Sequence, residues 1–546
     1  MSTRRDFLAM MLGAPFAVAA CRNDSRSSPP PGELVGTGMP RGHTLIRDAR
    51  ELPAISRYER HRVIIVGGGI AGLSAAWELR RKGIDDVVVL ELDDVAGGTA
   101  RGGSSPVTPY PWGAHYIVAP QRDQVDLAAL LGEMGAIEGH AADGAPIVDE
   151  VLRCREPEER VWYLGRWWDG LYMDAGASAD DRRQLAAFNA EVDRWSAWRD
   201  ASGRRAFAIP RSLCSDAPEL RALDRQSFAQ WLDERKLTSP RLRWLCDYAC
   251  RDDYALTPAQ TSAWAGLFYF AGRQSAPGVE AQSVVTWPDG NASLVRHLAA
   301  KATVRPGITV VDIDQGGLLG DVDPSVLAGA PGIAAPLVRI IAIGPQGPLG
   351  LEADAVIVAT PTFVANRVVR ARRGQPSADY GAWAVANIHL RKRPIERGGG
   401  AAPAWDNVFR DSPSLGYVTA THQRGRDRGP TVWTWYYPFT DEDTAAVRTK
   451  LAGAGHAEWS ATVIADLARA HPDVAAHADR IDIAFWGHGM IRPRVGTIWS
   501  DARAARVVPI GRIHFAHTDL SGFALFEEAF DHGLRAAREA AEAVRV

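Results

Sequence analysis

The chain has 546 residues, and its 62 basic and 65 acidic side chains leave a formal net charge of −3. This balance excludes the concentrated positive charge that nucleic-acid binding needs, and the length predicts two or three structural domains. Five cysteines are too few for a disulfide framework at this size. No metal site is predicted either, and Cys246 and Cys250 are interpreted as small core residues.

The first 21 residues have the layout of an export signal. Arg4 and Arg5 precede an apolar run from Phe7 to Ala20, and that run is shorter than the roughly 20 apolar residues that span a bilayer. A basic region followed by apolar and small residues is typical of export signals, and the paired arginines resemble the twin-arginine type. The end of the run, VAAC, resembles a bacterial lipobox, which implies a periplasmic or cell-envelope lipoprotein whose membrane contact is a lipid on Cys21. The alternative is an interfacial N-terminal helix.

Residues 22–58 are predicted to form a linker, because the run SRSSPPPGELVGTG is too rich in Pro, Ser and Gly to bury a core. The folded part is predicted to begin with RVIIVGGGIAGLSAAWELRRKGIDDVVVLE. Its pattern predicts a buried strand at 63–66, a helix at 70–82 and a second strand at 87–90. This arrangement is typical of the first unit of a dinucleotide-binding domain.

Glycines and one acid in this unit predict how a dinucleotide is bound. Gly67 permits the tight turn, Gly69 lets a pyrophosphate approach the backbone, and Gly72 lets the helix pack closely on the strand. The helix begins at Ile70 and Ala71, and its positive dipole end is directed at the phosphates. Glu91, at the end of the second strand, is predicted to accept hydrogen bonds from ribose hydroxyls.

Five segments in order resemble motifs of the flavin-containing amine oxidase superfamily. They follow the first glycine motif and are the stretch after Glu91 with Gly98 and Arg101, PYPWGAHYI at 109–117, ITVVDID with Val310, ADAVIVATP at 353–361, and the closing segment at 512–544. The resemblance implies that FAD is the cofactor. It implies that Gly113, Ala114 and His115 pass the flavin ring, that Val310 contacts the adenine end, that Asp519 lies near the pyrophosphate, and that the backbone of Phe526 meets the flavin.

Two positions depart from the family pattern. The usual glycine-glycine-arginine is replaced by Gly98-Thr99, with Arg101 two positions late, and His517 stands where a glycine is usual. The resemblance predicts an α/β fold with a Rossmann-type FAD-binding domain and an α+β substrate domain, in which a mixed sheet is joined by a helical insertion. The predicted FAD-binding domain comprises 59–120, 288–370 and 505–546, and the predicted substrate domain comprises 121–287 and 371–504.

Three residues are candidates for the catalytic side of the site. His115 lies in the segment that the resemblance directs toward the flavin. His488 lies between two glycines and could act as an acid or base. Trp435 is part of WTWYY and could orient an amine through its ring. For His488 and for the aromatic cluster, a purely structural role remains the alternative.

The resulting functional hypothesis is an exported FAD-dependent oxidoreductase that transfers hydride from a small amine-type substrate to the flavin N5. Oxygen or a respiratory carrier would then accept the electrons. The main alternative is a desaturase or isomerase of an apolar substrate, which predicts an apolar tunnel without carboxylates. A third hypothesis is an FAD-binding scaffold without chemistry.

Overall fold

The computed structural model describes residues 29–36, 39–47, 53–278, 284–315, 337–440 and 442–545. The predicted export signal, including Cys21, lies outside the described residues. The described strands are β1 Leu34–Val35, β2 Tyr58–Val66, β3 Val87–Leu90, β4 Gly102–Ser104, β5 Pro109–Pro111, β6 Ile137–His140, β7 Pro146–Val148, β8 Glu159–Tyr163, β9 Arg166–Asp169, β10 Val304–Arg305, β11 Thr309–Gln315, β12 Val338–Gly344, β13 Gly347–Val358, β14 Tyr380–Leu390, β15 Asp406–Phe409, β16 Gly416–Thr419, β17 Thr431–Pro438, β18 Ala478–Ile491 and β19 Ile513–Phe515.

The described helices are α1 Met39–Gly42, α2 Ile70–Arg81, α3 Val125–Glu133, α4 Ala179–Ala197, α5 Pro218–Leu223, α6 Phe228–Glu234, α7 Pro240–Tyr254, α8 Ala263–Ala271, α9 Ala292–Ala299, α10 Thr362–Val368, α11 Thr444–Ala452, α12 His456–Leu467, α13 Val474–His477, α14 Asp501–Val507 and α15 Phe526–Arg545. A π-helical turn, His43–Arg47, follows α1. In the described parts of the chain, no helix combines the length and the apolar character needed to cross a bilayer.

The first sheet has the order β10-β3-β2-β13-β12-β11, and β19 pairs with β13. Strands β2, β3, β13 and β19 are parallel, and residues 63–66 of β2 are buried, as parallel strands covered on both faces require. Helices α2 and α15 pack on one another and against this sheet. The predicted strand–helix–strand unit is confirmed. The helix ends at Arg81, Lys82 is its C-cap, and Gly83 follows in a left-handed conformation (φ +75°).

The second sheet has eight strands in the order β1-β18-β14-β17-β16-β15-β8-β9. It is mixed, because β14, β17 and β18 are antiparallel while β8 and β15 are parallel. Helices α4 to α8 form a separate aromatic-rich core beside it, which is the predicted helical insertion. Cys246 and Cys250 lie in that core as fully buried free thiols, which agrees with their interpretation as core residues.

Part of the predicted linker is folded. We call residues 29–36 and 39–47 the N-terminal arm. Its strand β1 pairs in parallel with β18 of the second sheet, whereas the Arg41 guanidinium donates a hydrogen bond to Leu92 O beside the first sheet at 2.6 Å. The arm therefore connects both sheets. Composition alone favoured a tether because the partners of the arm lie far away in the chain.

Candidate cofactor and substrate cavity

A cavity of about 1100 Å³ lies between the two sheets. One end begins at the glycine turn after β2, and the other end is lined by residues of α7, β14, β15 and β17. Most of the residues predicted for the site line this cavity: Gly67, Gly69, Ile70, Ala71, Glu91, Gly98, Gly113, Ala114, His115, Val310, His488 and Phe526. The predicted residues Gly72, Arg101, Asp519 and Trp435 are not part of its wall.

The glycine turn has the geometry that its spacing predicts. Gly67 has a φ of +106°, and a Cβ there would lie 2.5 Å from Ala359 O. A Cβ on Gly72 would lie 1.9 Å from the carbonyl oxygen of Gly67. Glycine at position 72 therefore allows the helix to pack directly against the turn. Gly69 differs, because a Cβ there would meet no protein atom within 4 Å. It is the N-cap of α2 and leaves open space in front of the helix N-terminus, where phosphate binds.

Glu91 is held at the end of β3 by two backbone hydrogen bonds. Its carboxylate accepts from Gly68 N at 2.6 Å and from Asp93 N at 2.8 Å. Burial raises the pKa of Glu91, and those two N–H groups oppose the shift. The carboxylate lines the cavity next to the glycine turn, which is the position that a ribose-binding acid requires.

Arg101 and Asp519 lie one layer behind the wall. The Arg101 Nη1 donates to Asp93 Oδ2 at 2.9 Å, and the guanidinium lies 5.1 Å from the ring centre of Trp486, which lines the cavity. Asp519 accepts a hydrogen bond from Thr362 N at 2.7 Å and another from the Tyr380 hydroxyl. Arg101 thus contacts two residues of the wall, Asp93 and Trp486, whereas Thr362 and Tyr380 are not part of the wall.

The surroundings of Asp519 favour the ionised form of its carboxyl group. Burial opposes ionisation of this carboxyl, but the adjacent His517 ring and the bonds from Thr362 and Tyr380 lower its pKa to about 2. The Nδ1 atom of His517 lies 3.0 Å from Asp519 Oδ1. His517 and Thr518 line the cavity, so the side chain that departs from the family pattern faces the site.

His115 and Tyr436 form the centre of the opposite end. Their rings stack with centres 4.7 Å apart, and the Tyr436 hydroxyl donates to Gly113 O at 3.0 Å. Burial lowers the pKa of His115 to about 4, and the Gly113 carbonyl only partly opposes that shift. His115 is therefore neutral at physiological pH, and Trp405 packs 5.4 Å from its ring centre.

His488 lines another part of the wall. It stacks on Phe363 with ring centres 4.0 Å apart, and the Tyr380 ring lies edge-on at 5.5 Å. Burial, together with the charges of Arg448 and Arg367, lowers its pKa to about 4. His488 thus faces the cavity as a neutral ring, at a different place from His115.

The prediction for Trp435 is wrong. The indole is fully buried on the other face of β17, where its Nε1 donates to Asp466 Oδ2 at 2.8 Å. Successive side chains of a strand point to opposite faces, so the neighbouring residue, Tyr436, is the one that reaches the cavity. Trp433 and Tyr437, which share the face of Trp435, belong to the same core.

Apart from Glu91, the acids of the wall were not predicted from the sequence: Asp93, Asp252, Asp253, Asp406 and Glu527. Asp252 on α7 and Asp406 on β15 line the cavity together with Tyr248, whose hydroxyl donates to Asp406 Oδ2 at 2.9 Å. Burial raises the pKa of Asp406 to about 7, although the Tyr248 and Asn407 donors oppose the shift. The two acids come from distant parts of the chain, and no local motif marks either of them.

The wall suits an extended dinucleotide such as FAD. The open helix N-terminus at Gly69 would hold a pyrophosphate, and the Glu91 carboxylate would accept hydrogen bonds from ribose hydroxyls. His115 and Tyr436 line the same cavity. In the described parts of the chain, no group of three or more His, Cys, Asp or Glu side chains is arranged to hold a metal ion.

Comparison with known proteins agrees with this geometry. Residues 65–133 match the family of NAD(P)-binding Rossmann-like domains. A 49-residue stretch is 51% identical to a Baeyer-Villiger monooxygenase of Streptomyces coelicolor (strain ATCC BAA-471 / A3(2) / M145), and this match spans 9% of our chain and 9% of that protein.

Similar solved structures cover nearly the whole chain. A double mutant of putrescine oxidase has a TM-score of 0.62 at 18% identity, covering 89% of this chain and 99% of that one. Cyclohexylamine oxidase from Brevibacterium oxydans IH-35A has a TM-score of 0.58 at 17% identity, covering 89% and 98%. A fatty acid isomerase from P. acnes has a TM-score of 0.58 at 15% identity, covering 88% and 98%. The chain therefore has the same fold as these proteins, with a Rossmann-type nucleotide-binding domain and an α+β second domain.

Proposed function

We propose that this protein is an FAD-dependent oxidoreductase that oxidises a small amine. The fold and the dinucleotide-binding wall support the cofactor. The observation that carries the choice of substrate is the presence of Asp252 and Asp406 in the cavity wall. Carboxyl groups in a buried wall cost free energy unless they have a compensating partner, and a cationic amine is such a partner.

The same observation argues against the alternative of an apolar substrate. A fatty acid isomerase shares the fold, so the architecture alone leaves both functions open. A desaturase or isomerase of an apolar substrate predicts a tunnel without carboxylates. Here two carboxyl groups and the Tyr248 hydroxyl line the end of the cavity that lies beyond the dinucleotide motif.

Bound FAD supplies a flavin ring that accepts a hydride from the carbon next to the amine nitrogen. The residues of this chain bind and orient the substrate. The stacked rings of His115 and Tyr436 form a flat surface against which a substrate can be held. Because His115 is neutral at physiological pH, it adds no positive charge that would repel an ammonium ion. The buried aromatic wall also excludes water from the reacting carbon.

The function is tested by titrating the FAD-loaded protein anaerobically with primary amines, polyamines and amino acids, and with unsaturated fatty acids as the apolar comparison. We expect one class of amine to bleach the flavin absorbance, and admission of air then reports whether oxygen or another carrier is the acceptor. Conversion of a fatty acid without net bleaching, while every amine is inert, would replace this function by the isomerase alternative.

The location of the enzyme is a second part of the proposal. The Arg4–Arg5 pair and the lipobox-like end support export by the twin-arginine route and a lipid on Cys21. Cys21→Ser is expected to move the exported protein from the membrane fraction to the soluble envelope fraction in a fractionated cell. Retention of the variant in the membrane fraction would contradict the lipid anchor.

A further inference from the structure

The acids at the substrate end of the cavity differ in how their charge is compensated. Asp253 forms an ion pair with Arg273, whose Nη2 lies 3.1 and 3.0 Å from the two carboxylate oxygens and also donates to the Tyr116 hydroxyl at 3.2 Å. Arg251 donates instead to backbone carbonyls of residues 412–414. Both nearby guanidinium groups are therefore already engaged.

Asp252 and Asp406 have no such counterion. Asp406 is hydrogen-bonded to Tyr248, and Asp252 has neither a hydrogen bond nor an ion pair with any described residue. Burial raises the pKa of Asp252 well above its usual value, and the charges of Asp253 and Asp406 add to the shift. Two interacting carboxyl groups in one buried site resist double ionisation. The pair therefore carries about one negative charge near neutral pH.

The hydrogen bonds decide which member carries that charge. The Tyr248 hydroxyl and the Asn407 N–H stabilise the ionised form of Asp406, whereas Asp252 lacks any donor. Asp406 is therefore the carboxylate, and Asp252 retains the proton. The other titratable or charged groups around the pair are Asp253, Arg251 and Arg273 on or beside α7, Glu159 on β8, Cys154, and the tyrosines Tyr116, Tyr248, Tyr269 and Tyr436.

We propose that Asp252 and Asp406 receive the ammonium group of the substrate and that Asp406 accepts its proton before oxidation. This inference rests on the proposed function. An amine enters as ammonium, and its carbon can lose hydride only after the nitrogen lone pair is free. One N–H bond breaks, its electron pair stays on nitrogen, and an O–H bond forms on Asp406. No oxidant or reductant takes part in this step.

Comparison with His115 supports the assignment of the base. A proton released in the cavity goes to the group with the higher affinity for it. The pKa of Asp406 is raised to about 7, whereas that of His115 is lowered to about 4, in both cases by burial. Asp406 is thus the stronger base of the two, and its affinity matches an enzyme that works near neutral pH.

The test uses the FAD-loaded full chain and the variants Asp406→Asn and Asp252→Asn. Glu159→Gln is the matched control, because Glu159 pairs in register with Asp406 but does not line the cavity. Burial raises the pKa of Glu159 to about 8, so its side chain is largely neutral at pH 7 and an amide resembles it. The FAD content and circular dichroism of each variant establish that it folds.

The first readout is binding of two permanent cations, benzyltrimethylammonium and butyltrimethylammonium, and of neutral benzyl alcohol. Binding is followed by perturbation of the flavin absorbance, without turnover. We expect Asp406→Asn to bind the cations at least about tenfold more weakly, which corresponds to about 1.4 kcal/mol, whereas Asp252→Asn, which exchanges a protonated carboxyl for an amide, should change this binding much less. Binding of benzyl alcohol should stay unchanged, and the control should bind like the wild type. Failure of the wild type to bind either cation would overturn the proposal.

The second readout is the pH dependence of anaerobic flavin reduction by the best amine. The wild-type rate should rise with pH and level off near 7, as Asp406 becomes ionised. In Asp406→Asn the rate should instead be proportional to the concentration of unprotonated amine in solution. It should then rise about tenfold per pH unit up to the pKa of the amine. An unchanged profile with unchanged cation binding would overturn the assignment while leaving amine oxidation intact. Cation binding without reduction by any amine would instead refute the function and support the cation site.

Discussion

The glycine turn can be tested with two alanine substitutions that should have different effects. One should weaken FAD binding, and the other should lower the stability of the FAD-free protein. At Gly69 a Cβ meets no protein atom within 4 Å, and the φ of −74° suits any residue. Gly69→Ala should therefore change the stability of the FAD-free protein by no more than about 1 kcal/mol, the usual effect of alanine at an N-cap. The methyl group, however, occupies the space that the pyrophosphate needs, so the Kd for FAD should rise at least about tenfold, or 1.4 kcal/mol.

Gly72→Ala is the comparison. A Cβ there lies 1.9 Å from Gly67 O, which is backbone and cannot rotate away. The turn has to move, and overpacking of this kind costs about 1–3 kcal/mol. Denaturant unfolding of both FAD-free variants and FAD titration by fluorescence quenching give the two quantities. A Gly69→Ala protein that binds FAD like the wild type would refute our placement of the phosphates.

Three further substitutions test residues around the cavity. Trp435→Phe should lower stability by about 1–3 kcal/mol through the lost bond to Asp466 and leave kcat/KM nearly unchanged; a large loss of kcat/KM at full stability would restore a catalytic role. Tyr380→Phe should lower stability at pH 7 by about 1–3 kcal/mol. Because the folded-state pKa of Asp519 is depressed to about 2, its contribution exists above about pH 4 and is lost toward pH 2, so the two unfolding curves should converge there; a constant difference would contradict this. Met39, Gly42, His43 and Ile46 of the N-terminal arm line the cavity. Arg41→Ala should therefore speed FAD release in a dilution assay about threefold to tenfold, since the hydrogen bond that holds the arm contributes about 1 kcal/mol; an unchanged release rate would show that the arm does not retain the cofactor.

The parts of the site that could be predicted from the sequence depend on local geometry. The turn at Gly67 and Gly69, the helix that begins at Ile70 and the acid at Glu91 all lie within one strand–helix–strand unit. Their spacing determines their arrangement whatever the rest of the chain does. His115 was predicted because it lies in a short segment that resembles a family motif, and it does line the cavity.

The remaining features depend on distant contacts. Every residue of β17 except Tyr437 is buried. The strand therefore shows no alternation of polar and apolar side chains that would indicate which face meets the cavity, and the sequence did not distinguish Tyr436 from Trp435. Asp252 and Asp406 come together only because α7 and β15 pack against the same end of the cavity. The N-terminal arm was predicted to be a linker because the strand that pairs with β1 is more than 400 residues away.

The central claim is that the cavity between the two sheets holds FAD next to a substrate site. The most direct test is to purify the folded protein, record its flavin spectrum, release the cofactor by denaturation and identify it by chromatography. We expect one FAD per chain and its full release, because the closing segment at 512–545 contains no cysteine that could hold the flavin covalently. A folded protein that binds no flavin after reconstitution, or that retains a nicotinamide dinucleotide in its place, would contradict the account.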